Sequence, residues 1–376
     1  MATQLFVPSY RTEECLEQIR ECLDTGWTGV GYKTIEFENE WKKYTGLNNA
    51  HFLNSATAGL HLAVKILKEY CGWQDGDEII STPLTFVSTN HAILYEKLKP
   101  VFADVDEHLC LDPQDVERKI TFRTRAVMFV GLGGNTGRYP EIVSLCKKYN
   151  LKLILDAAHM AGTHLNGAIP GKEADAVVYS FHSVKNLPTA DAGVVSFASD
   201  ELDSICRKYS WLGINKDTYS RTDTGGTYKW KYDVEYLGYK YHGNSIMAAI
   251  ALVQLKYLDQ DNEYRRKIAS WYNASLSELD YIKPIPVAPG CESSTHLYIV
   301  ETDKRDELLE LLNNNQIYPG VHYRDNTEYN IYSYARGDCP NAAEKSARIL
   351  SLPVHLKLTQ ADIDNISNII TNKFKR

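Results

Sequence analysis

Hydrophobic and polar positions follow two alternating periods over residues 55–200. Stretches with apolar residues on one helical face are separated by short apolar runs that end at polar residues or glycine. The first helical stretch spans 55–70, and Ser55 or Thr57 is able to cap its first turn. Helices that alternate with short buried strands are typical of crossover connections in a mainly parallel sheet. The pattern therefore predicts an α/β fold.

Short apolar runs in this region are predicted to be strands. They lie at 78–81, 100–105, 126–130, 151–156 and 176–181. The fourth run ends in an acid, Asp156, and hydroxyl and histidine side chains come at the end of the fifth. Because ligands bind at the carboxyl ends of the strands in such sheets, we expect the functional site there.

The C-terminal part of the chain has a different organisation. A helical pattern from 245 to about 279 is unusually long, which suits an element that leaves a large domain and enters a smaller one. We therefore place the domain boundary near residue 250, with a large domain at 1–250 and a small C-terminal domain at 251–376. The small domain mixes a strand at 294–301 with helices and turns, and it ends in an amphipathic helix after Thr359.

Composition excludes several classes of protein. The 376 residues are 44% hydrophobic, enough for a substantial core. The formal net charge of -7 argues against nucleic-acid and anionic-membrane partners. The eight cysteines form no CxxC pair, so neither a disulfide framework nor a metal site is expected. The N-terminus has no signal-peptide pattern and no apolar run approaches ~18 residues, which predicts a cytoplasmic protein without membrane segments.

Two residues at the predicted strand ends suggest pyridoxal 5'-phosphate (PLP) chemistry. Such a site needs a lysine, a carboxylate for the pyridinium nitrogen and donors for the phosphate. Lys185 follows the strand 176–181 in a turn, although a lone lysine is more commonly a solvated surface residue. Asp156 is able to keep the ring nitrogen protonated, or simply to cap a helix. His159 either faces the cofactor or is structural.

Two further features fit such a site. The stretch Ser55-Ala56-Thr57-Ala58-Gly59 opens the first long helix, where free N–H groups bind anions, or where the hydroxyls simply cap the helix. Phe86 follows a strand and is able to stack on a pyridine ring, or to pack in the core.

Several motifs occur together and in order along the chain. They are Asn54-Ser55-Ala56-Thr57-Ala58, Gly76-Asp77-Glu78-Ile79-Ile80, Asp156-Ala157-Ala158-His159, Ser180-Phe181-His182, Lys185-Asn186-Leu187 and Leu350-Ser351-Leu352-Pro353. The series resembles the DegT/StrS (DegT/DnrJ) family of sugar aminotransferases over nearly the whole chain. The resemblance implies the aspartate-aminotransferase fold (PLP fold type I). It is closest to the branch that aminates C4 of UDP-4-keto sugars.

The resemblance also implies roles for individual residues. Lys185 would be the Schiff-base lysine, and Asp156 would pair with the pyridinium nitrogen. The other implied cofactor contacts are His159, Phe86, Ala56, Thr57 and Ser180 in this subunit, and Lys240 and Asn244 in an arm from the neighbouring subunit. The His322-Tyr323 motif would contact the substrate. The family therefore implies a homodimer with two shared active sites.

The chain departs from the family pattern in three places. Residues 190–193 read Ala-Asp-Ala-Gly where the family usually has Gly-Glu-Gly-Gly or Ala-Glu-Gly-Gly. Arg324-Asp325-Asn326 replaces the Pro-x-His that normally follows the His-Tyr motif. His242-Gly243 replaces the Arg-Met or Asn-Leu that normally follows the Gly-Tyr motif of the arm. These changes leave the lysine chemistry possible and affect the expected identity of the substrate.

The expected activity is transfer of an amino group from an amino acid, usually L-glutamate in this family, to a keto sugar, here a nucleotide-linked 4-keto sugar. Three alternatives stay open. One is transamination of a smaller phosphorylated ketone. Another is a PLP-dependent sugar dehydratase, a branch in which histidine replaces the lysine, so that Lys185 argues against it. The last is a non-catalytic regulatory homologue.

Overall fold

The central sheet is built from residues between 51 and 197, in a computed structural model that describes residues 2–215 and 232–374. Its strands are β1 (His51–Leu53), β2 (Glu78–Ser81), β3 (Lys99–Phe102), β4 (Thr124–Val130), β5 (Lys152–Asp156), β7 (Ala176–Ser180) and β8 (Gly193–Phe197). Their order is β1-β8-β7-β5-β4-β2-β3. The strands from β3 to β7 are parallel, and β8 and β1 join antiparallel at one edge. The prediction of a mainly parallel sheet is thus confirmed.

Helices cover both faces of this sheet. They are α1 (Thr12–Thr25), α2 (Tyr32–Thr45), α3 (Ala56–Cys71), α4 (Val87–Tyr95), α5 (Pro113–Arg118), α6 (Tyr139–Lys148), α7 (Asp200–Ser210) and α8 (Ser245–Leu255). The predicted helix at 55–70 is α3. It begins with the Ser55 side chain accepting a hydrogen bond from the Ala58 N–H, and it ends at Gly72, whose φ of 68° is in the left-handed region.

Alternate residues of the inner strands feed two separate cores. In β4, Val127 and Phe129 pack in one core, while Ala126 and Met128 pack in the other. This alternation follows from the two-residue period of a strand that is buried on both faces. The rigid sheet therefore fixes where each strand ends, and with it the positions of the residues that follow.

The C-terminal part has its own sheet and its own core. Helices α9 (Leu258–Leu276), α10 (Arg305–Asn314), α11 (Pro340–Arg348) and α12 (Gln360–Phe374) accompany the antiparallel strands β9 (Lys283–Pro284), β11 (Tyr298–Glu301) and β12 (Ile349–Leu352). A small separate ladder pairs β6 (His164–Leu165) with β10 (Cys291–Glu292). Residues from Ile268 to Ile370 form a core of their own.

The prediction of one long helix at 245–279 is wrong in one respect, because the structure divides this segment into α8 and α9. The N–H groups of Lys256 and Tyr257 bond to carbonyls three residues back, which tightens the backbone into a turn between the two helices. Leu252 and Leu258 still pack in the core of the large sheet, while Ile268 packs in the C-terminal core. The domain boundary near residue 250 stays a prediction.

None of the helices within 2–215 and 232–374 combines the length and the apolar content that a membrane span requires.

Candidate active site

Asp156 is the last residue of β5 and faces a cavity at the carboxyl end of the sheet. Its side chain is 3% exposed. One carboxylate oxygen accepts from the Thr89 hydroxyl at 2.8 Å and the other from the Ala158 N–H at 3.1 Å. Burial raises the pKa of Asp156, and these hydrogen bonds and the charge of Lys185 only oppose that rise. A buried carboxylate whose charged form is disfavoured by burial is stabilised by a cationic group across the cavity.

Lys185 lies in the loop that connects β7 to β8. The Phe181 N–H bonds to Ala192 O and the Thr189 N–H bonds to Phe181 O, both at 2.8 Å, which closes the base of the loop. The Lys185 N–H donates to His182 O in a turn and its side chain reaches the cavity. Desolvation lowers the pKa of the Lys185 amine to about 8, although the charge of Asp156 acts to raise it. A substantial fraction of this amine is therefore uncharged near neutral pH.

The start of α3 forms another wall of the same cavity, lined by Ser55, Ala56 and Thr57. The first N–H groups of a helix have no partner inside the helix and favour an anion. Gly193 lies directly against this turn, and a Cβ on it would stand 2.6 Å from the Ala56 nitrogen. The glycine in the altered 190–193 segment thus allows a close approach that no side chain would allow. Ser180, which is 7% exposed, completes this end of the cavity.

His159 is held in one tautomer by the backbone. The Gly133 N–H can only donate, and it lies 3.1 Å from Nδ1 of His159. The hydrogen of the neutral ring is therefore on Nε2, which donates to the Tyr323 hydroxyl at 3.2 Å. Burial, then the charge of Lys185, holds the pKa of His159 well below its usual range, so the ring is uncharged.

The His-Tyr motif closes the cavity from the C-terminal part of the chain. The His322 ring meets the Ser351 hydroxyl through Nδ1 at 2.9 Å, and burial lowers the pKa of His322 to about 4. Tyr323 faces Phe86, with ring centroids 6.1 Å apart, and Phe86 is 58% exposed. The cavity between these walls has a volume of about 400 Å³, within the usual range for a small-molecule site.

Nine of the eleven residues named from the sequence line this one cavity. They are Ala56, Thr57, Phe86, Asp156, His159, Ser180, Lys185, His322 and Tyr323. The other two lie outside it in this subunit. The Lys240 amine lies 3.4 Å above the Trp211 ring centroid, and Asn244 caps α8 by accepting from the Met247 N–H.

The altered substrate segment has a structural role that the sequence did not reveal. Asn326 is fully buried and donates from its side chain to Thr85 O at 2.8 Å. Its Oδ1 accepts from Asn90 at 3.0 Å, and its N–H donates to Pro83 O at 2.8 Å. This asparagine therefore anchors the segment beneath the cavity instead of facing a ligand.

Sequence reasoning missed two residues that contact the central pair. Thr89 donates a hydrogen bond to Asp156. The sequence feature that could have indicated it is the four-residue spacing of Thr85 and Thr89, whose hydroxyls lie 2.9 Å apart. His296 lies 3.5 Å from the Lys185 amine, measured to Nε2, and is 2% exposed. No local pattern marks His296, because its position depends on contacts between distant parts of the chain.

Comparison with known proteins identifies the family. Residues 9–371 match the DegT/DnrJ/EryC1/StrS aminotransferase family. The chain belongs to this family. It is 32% identical over 375 residues to the spore coat polysaccharide biosynthesis protein SpsC of Bacillus subtilis, covering 96% of this chain and 95% of SpsC.

Solved structures agree with that assignment. Helicobacter pylori PseC, an aminotransferase involved in pseudoaminic acid biosynthesis, is 26% identical with a TM-score of 0.92, and each chain is covered completely. Streptococcus pneumoniae Spr1654 was solved in a PMP form that is 27% identical with a TM-score of 0.89, covering 98% of both chains. A PLP form of the same protein is also known. The chain is an aminotransferase with the aminotransferase fold, as its motifs predicted.

Proposed function

We propose that this aminotransferase binds pyridoxal 5'-phosphate between Lys185 and Asp156. It moves an amino group from L-glutamate to a nucleotide-linked 4-keto sugar. The observation that carries the proposal is the pairing of Lys185 and Asp156 in one cavity, where burial makes the amine a weaker base and the carboxylate a weaker acid than usual. Both shifts favour partners that the cofactor offers, an aldehyde for the amine and a protonated ring nitrogen for the carboxylate.

The residues present fit the cofactor in their chemistry and arrangement. Lys185 would hold its aldehyde and Asp156 its ring nitrogen, with His159 and Phe86 beside the ring. The phosphate would lie at the start of α3, against Ala56, Thr57 and Ser180, where the first N–H groups of the helix favour an anion.

The mechanism assigns a distinct task to each residue of the central pair. When bound, the cofactor supplies an electrophilic carbon and a ring that withdraws electrons from the donor's α carbon. Asp156 keeps a proton on the ring nitrogen through its charge. The uncharged Lys185 amine takes the proton from the α carbon of glutamate, and in the second half of the cycle it delivers a proton to the carbon that becomes the amine-bearing carbon of the sugar.

The acceptor is proposed from the resemblance and from the shape of the site. SpsC is named for polysaccharide biosynthesis and PseC for pseudoaminic acid biosynthesis, both consistent with a sugar acceptor. Tyr323 would offer its hydroxyl to the substrate, since its hydroxyl already accepts from His159 and its own hydrogen is free to be donated. His322 stands beside it at the cavity wall.

The proposed assembly is a cytoplasmic homodimer with shared active sites. Lys240 and Asn244 lie outside the cavity of their own subunit, so a role at the phosphate requires the neighbouring subunit. Lys240 is exposed, with its amine over the Trp211 ring, and would turn to the partner's cofactor in the dimer.

Spectroscopy and product analysis test the proposal. The protein loaded with pyridoxal phosphate should be yellow and should bleach when L-glutamate is added. Restoring the absorbance with UDP-4-keto sugars, compared with 3-keto sugars and small phosphorylated ketones, identifies the acceptor. Lys185→Ala should abolish the covalent absorbance, whereas Lys172→Ala, an exposed lysine outside the cavity, should not.

Other outcomes would redirect the assignment. Release of ammonia with loss of a sugar hydroxyl would identify a dehydratase, and a protein that never bleaches would be a non-catalytic homologue. Full turnover by Lys185→Ala would contradict the proposed role of the lysine.

A further inference from the structure

His296 contacts the Lys185 side chain and has no role in the function proposed above. It comes from the segment that precedes β11, and 111 residues separate it from Lys185. Its Nε2 lies 3.5 Å from the lysine Nζ, at the outer edge of hydrogen-bond distance. Hydrogen bonds in ligand-free active sites are often this long and tighten when the site is loaded.

A chain of amides fixes which nitrogen of His296 carries the hydrogen. The Asn262 amide donates to Ala161 O at 2.9 Å, so its own oxygen faces Asn186. Asn186 donates to that oxygen and to Ser294 O, both at 2.7 Å, which commits its amide hydrogens. The Asn186 oxygen therefore accepts from Nδ1 of His296 at 3.0 Å. The lone pair of the neutral ring is left on Nε2, toward the lysine.

Several charged and titratable groups face this pair, and they keep the imidazole neutral. Burial, and then the charge of Lys185, holds the pKa of His296 well below its usual range, with His159, Arg265 and His322 acting in the same direction. The carboxylate that faces the lysine is Asp156, on the other side. His296 is thus an acceptor for the lysine without competing for a proton.

Packing holds the His296 ring in place. The Phe6 ring stacks on it at 5.4 Å between centroids and an interplanar angle of 8°. The His159 ring lies 4.4 Å away on a tilted plane. A ring fixed by these contacts and by its Nδ1 hydrogen bond offers Nε2 at a defined point beside the lysine.

We infer that His296 is a positioning residue for Lys185. Its Nε2 accepts a hydrogen bond from Nζ and holds the end of the lysine side chain where the amine meets the aldehyde of the cofactor. An uncharged acceptor suits this task because a second carboxylate beside the amine would favour its protonated, unreactive form. The inference rests on the proposed function, since it assumes that Lys185 bonds to pyridoxal phosphate.

The magnitude follows from the torsions that the contact restricts. Without the acceptor, the last two side-chain torsions of Lys185 are free to occupy three staggered wells each. The fraction of molecules with the amine in the reactive position then falls roughly ninefold. His296→Leu should therefore slow covalent attachment of pyridoxal phosphate to the apo protein by about that factor. The comparison is made on the plateau of the pH–rate profile, well above the lysine pKa of about 8, where the amine is uncharged in both proteins.

Three controls distinguish positioning from general damage. His296→Gln retains a side-chain oxygen near Nε2 and should recover most of the rate. His91→Leu removes a histidine that bonds to the Tyr332 hydroxyl outside the cavity and should attach cofactor at the wild-type rate. In a Lys185→Ala background there is no amine to position, so adding His296→Leu should leave non-covalent cofactor affinity unchanged.

The outcomes separate the inference from the proposed function. Equal plateau rates for wild type and His296→Leu would overturn the role of His296 while leaving the cofactor assignment intact. If His296→Leu weakens non-covalent cofactor affinity in the Lys185→Ala background by about the same factor as it slows attachment in the wild-type background, His296 acts on the cofactor directly. That result would also overturn the inference. Wild-type protein that takes up no pyridoxal phosphate would overturn the proposed function and the inference together.

Discussion

The reactivity of the Lys185 amine should follow a pKa far below that of an ordinary lysine. Desolvation lowers the pKa of Lys185 from its ordinary 10.5 to about 8. At pH 7.5 about a quarter of the amine is then uncharged, against about one part in a thousand for a pKa of 10.5. The uncharged fraction of the Lys185 amine in the apo protein should therefore be on the order of a hundred times larger at that pH than for an ordinary lysine, and Lys185 should react faster with an amine-specific acylating reagent.

Competitive acylation across a pH series, read by mass spectrometry, measures this directly. The exposed lysines in the same digest provide internal references for reagent concentration and intrinsic reactivity. Asp156→Asn should lower the apparent pKa of Lys185 further, because the Asp156 charge is the one contribution that raises it. The amide is able to keep the contacts with Thr89 and Ala158, so the variant should remain folded.

Two results would contradict this reasoning. An apparent pKa for Lys185 near 10.5 in the folded apo protein would show that water reaches the amine freely, so that burial does not tune it. An apparent pKa that stays the same in Asp156→Asn would show that the carboxylate and the amine do not face each other across the cavity.

Two further predictions test the proposed phosphate site at the start of α3 and the proposed sharing of the active site between subunits. Gly193→Ala places a Cβ 2.6 Å from the Ala56 nitrogen, so it should weaken cofactor affinity and destabilise the fold by about 1–3 kcal/mol. The control is Gly29→Ala, where a Cβ would have no atom within 4 Å and neither effect is expected. Cofactor titration and thermal melting of both variants measure the difference. If Lys240 serves the neighbouring subunit, mixing inactive Lys185→Ala and Lys240→Ala proteins under subunit exchange should restore about a quarter of the wild-type activity, because half the dimers then carry one intact site. No recovery in an exchanged mixture would contradict the shared site.

The sequence predicted the parts of the site that depend on local order. Asp156 and Lys185 each follow a buried apolar run, and parallel strands bring their carboxyl ends to one edge of the sheet. The start of α3 was predictable for the same reason, since Ser55 is a strong N-cap residue and caps the helix as expected. These features need no knowledge of how distant segments pack.

The features that the sequence did not reveal arise from long-range packing. His296 reaches Lys185 because the C-terminal part closes over the end of the sheet. Asn326 stands where the family carries a histidine, which suggested an altered substrate contact, yet its hydrogen bonds to Thr85 and Asn90 bury it below the cavity. The turn at Lys256 and Tyr257 has neither glycine nor proline to mark it, so the helical period continued through it.

The electrostatic composition of the cavity explains why these long-range contacts matter for transamination. Asp156 is the carboxylate whose charge acts on the Lys185 amine, and the pKa values of His159, His296 and His322 are all held below their usual range, so these three rings add hydrogen-bonding groups without adding charge. A charged ring beside Lys185 would disfavour the protonated amine, and a further carboxylate would favour it too strongly. Neutral rings leave the amine able to gain and lose a proton at similar cost, which is what moving a proton between two carbon centres requires.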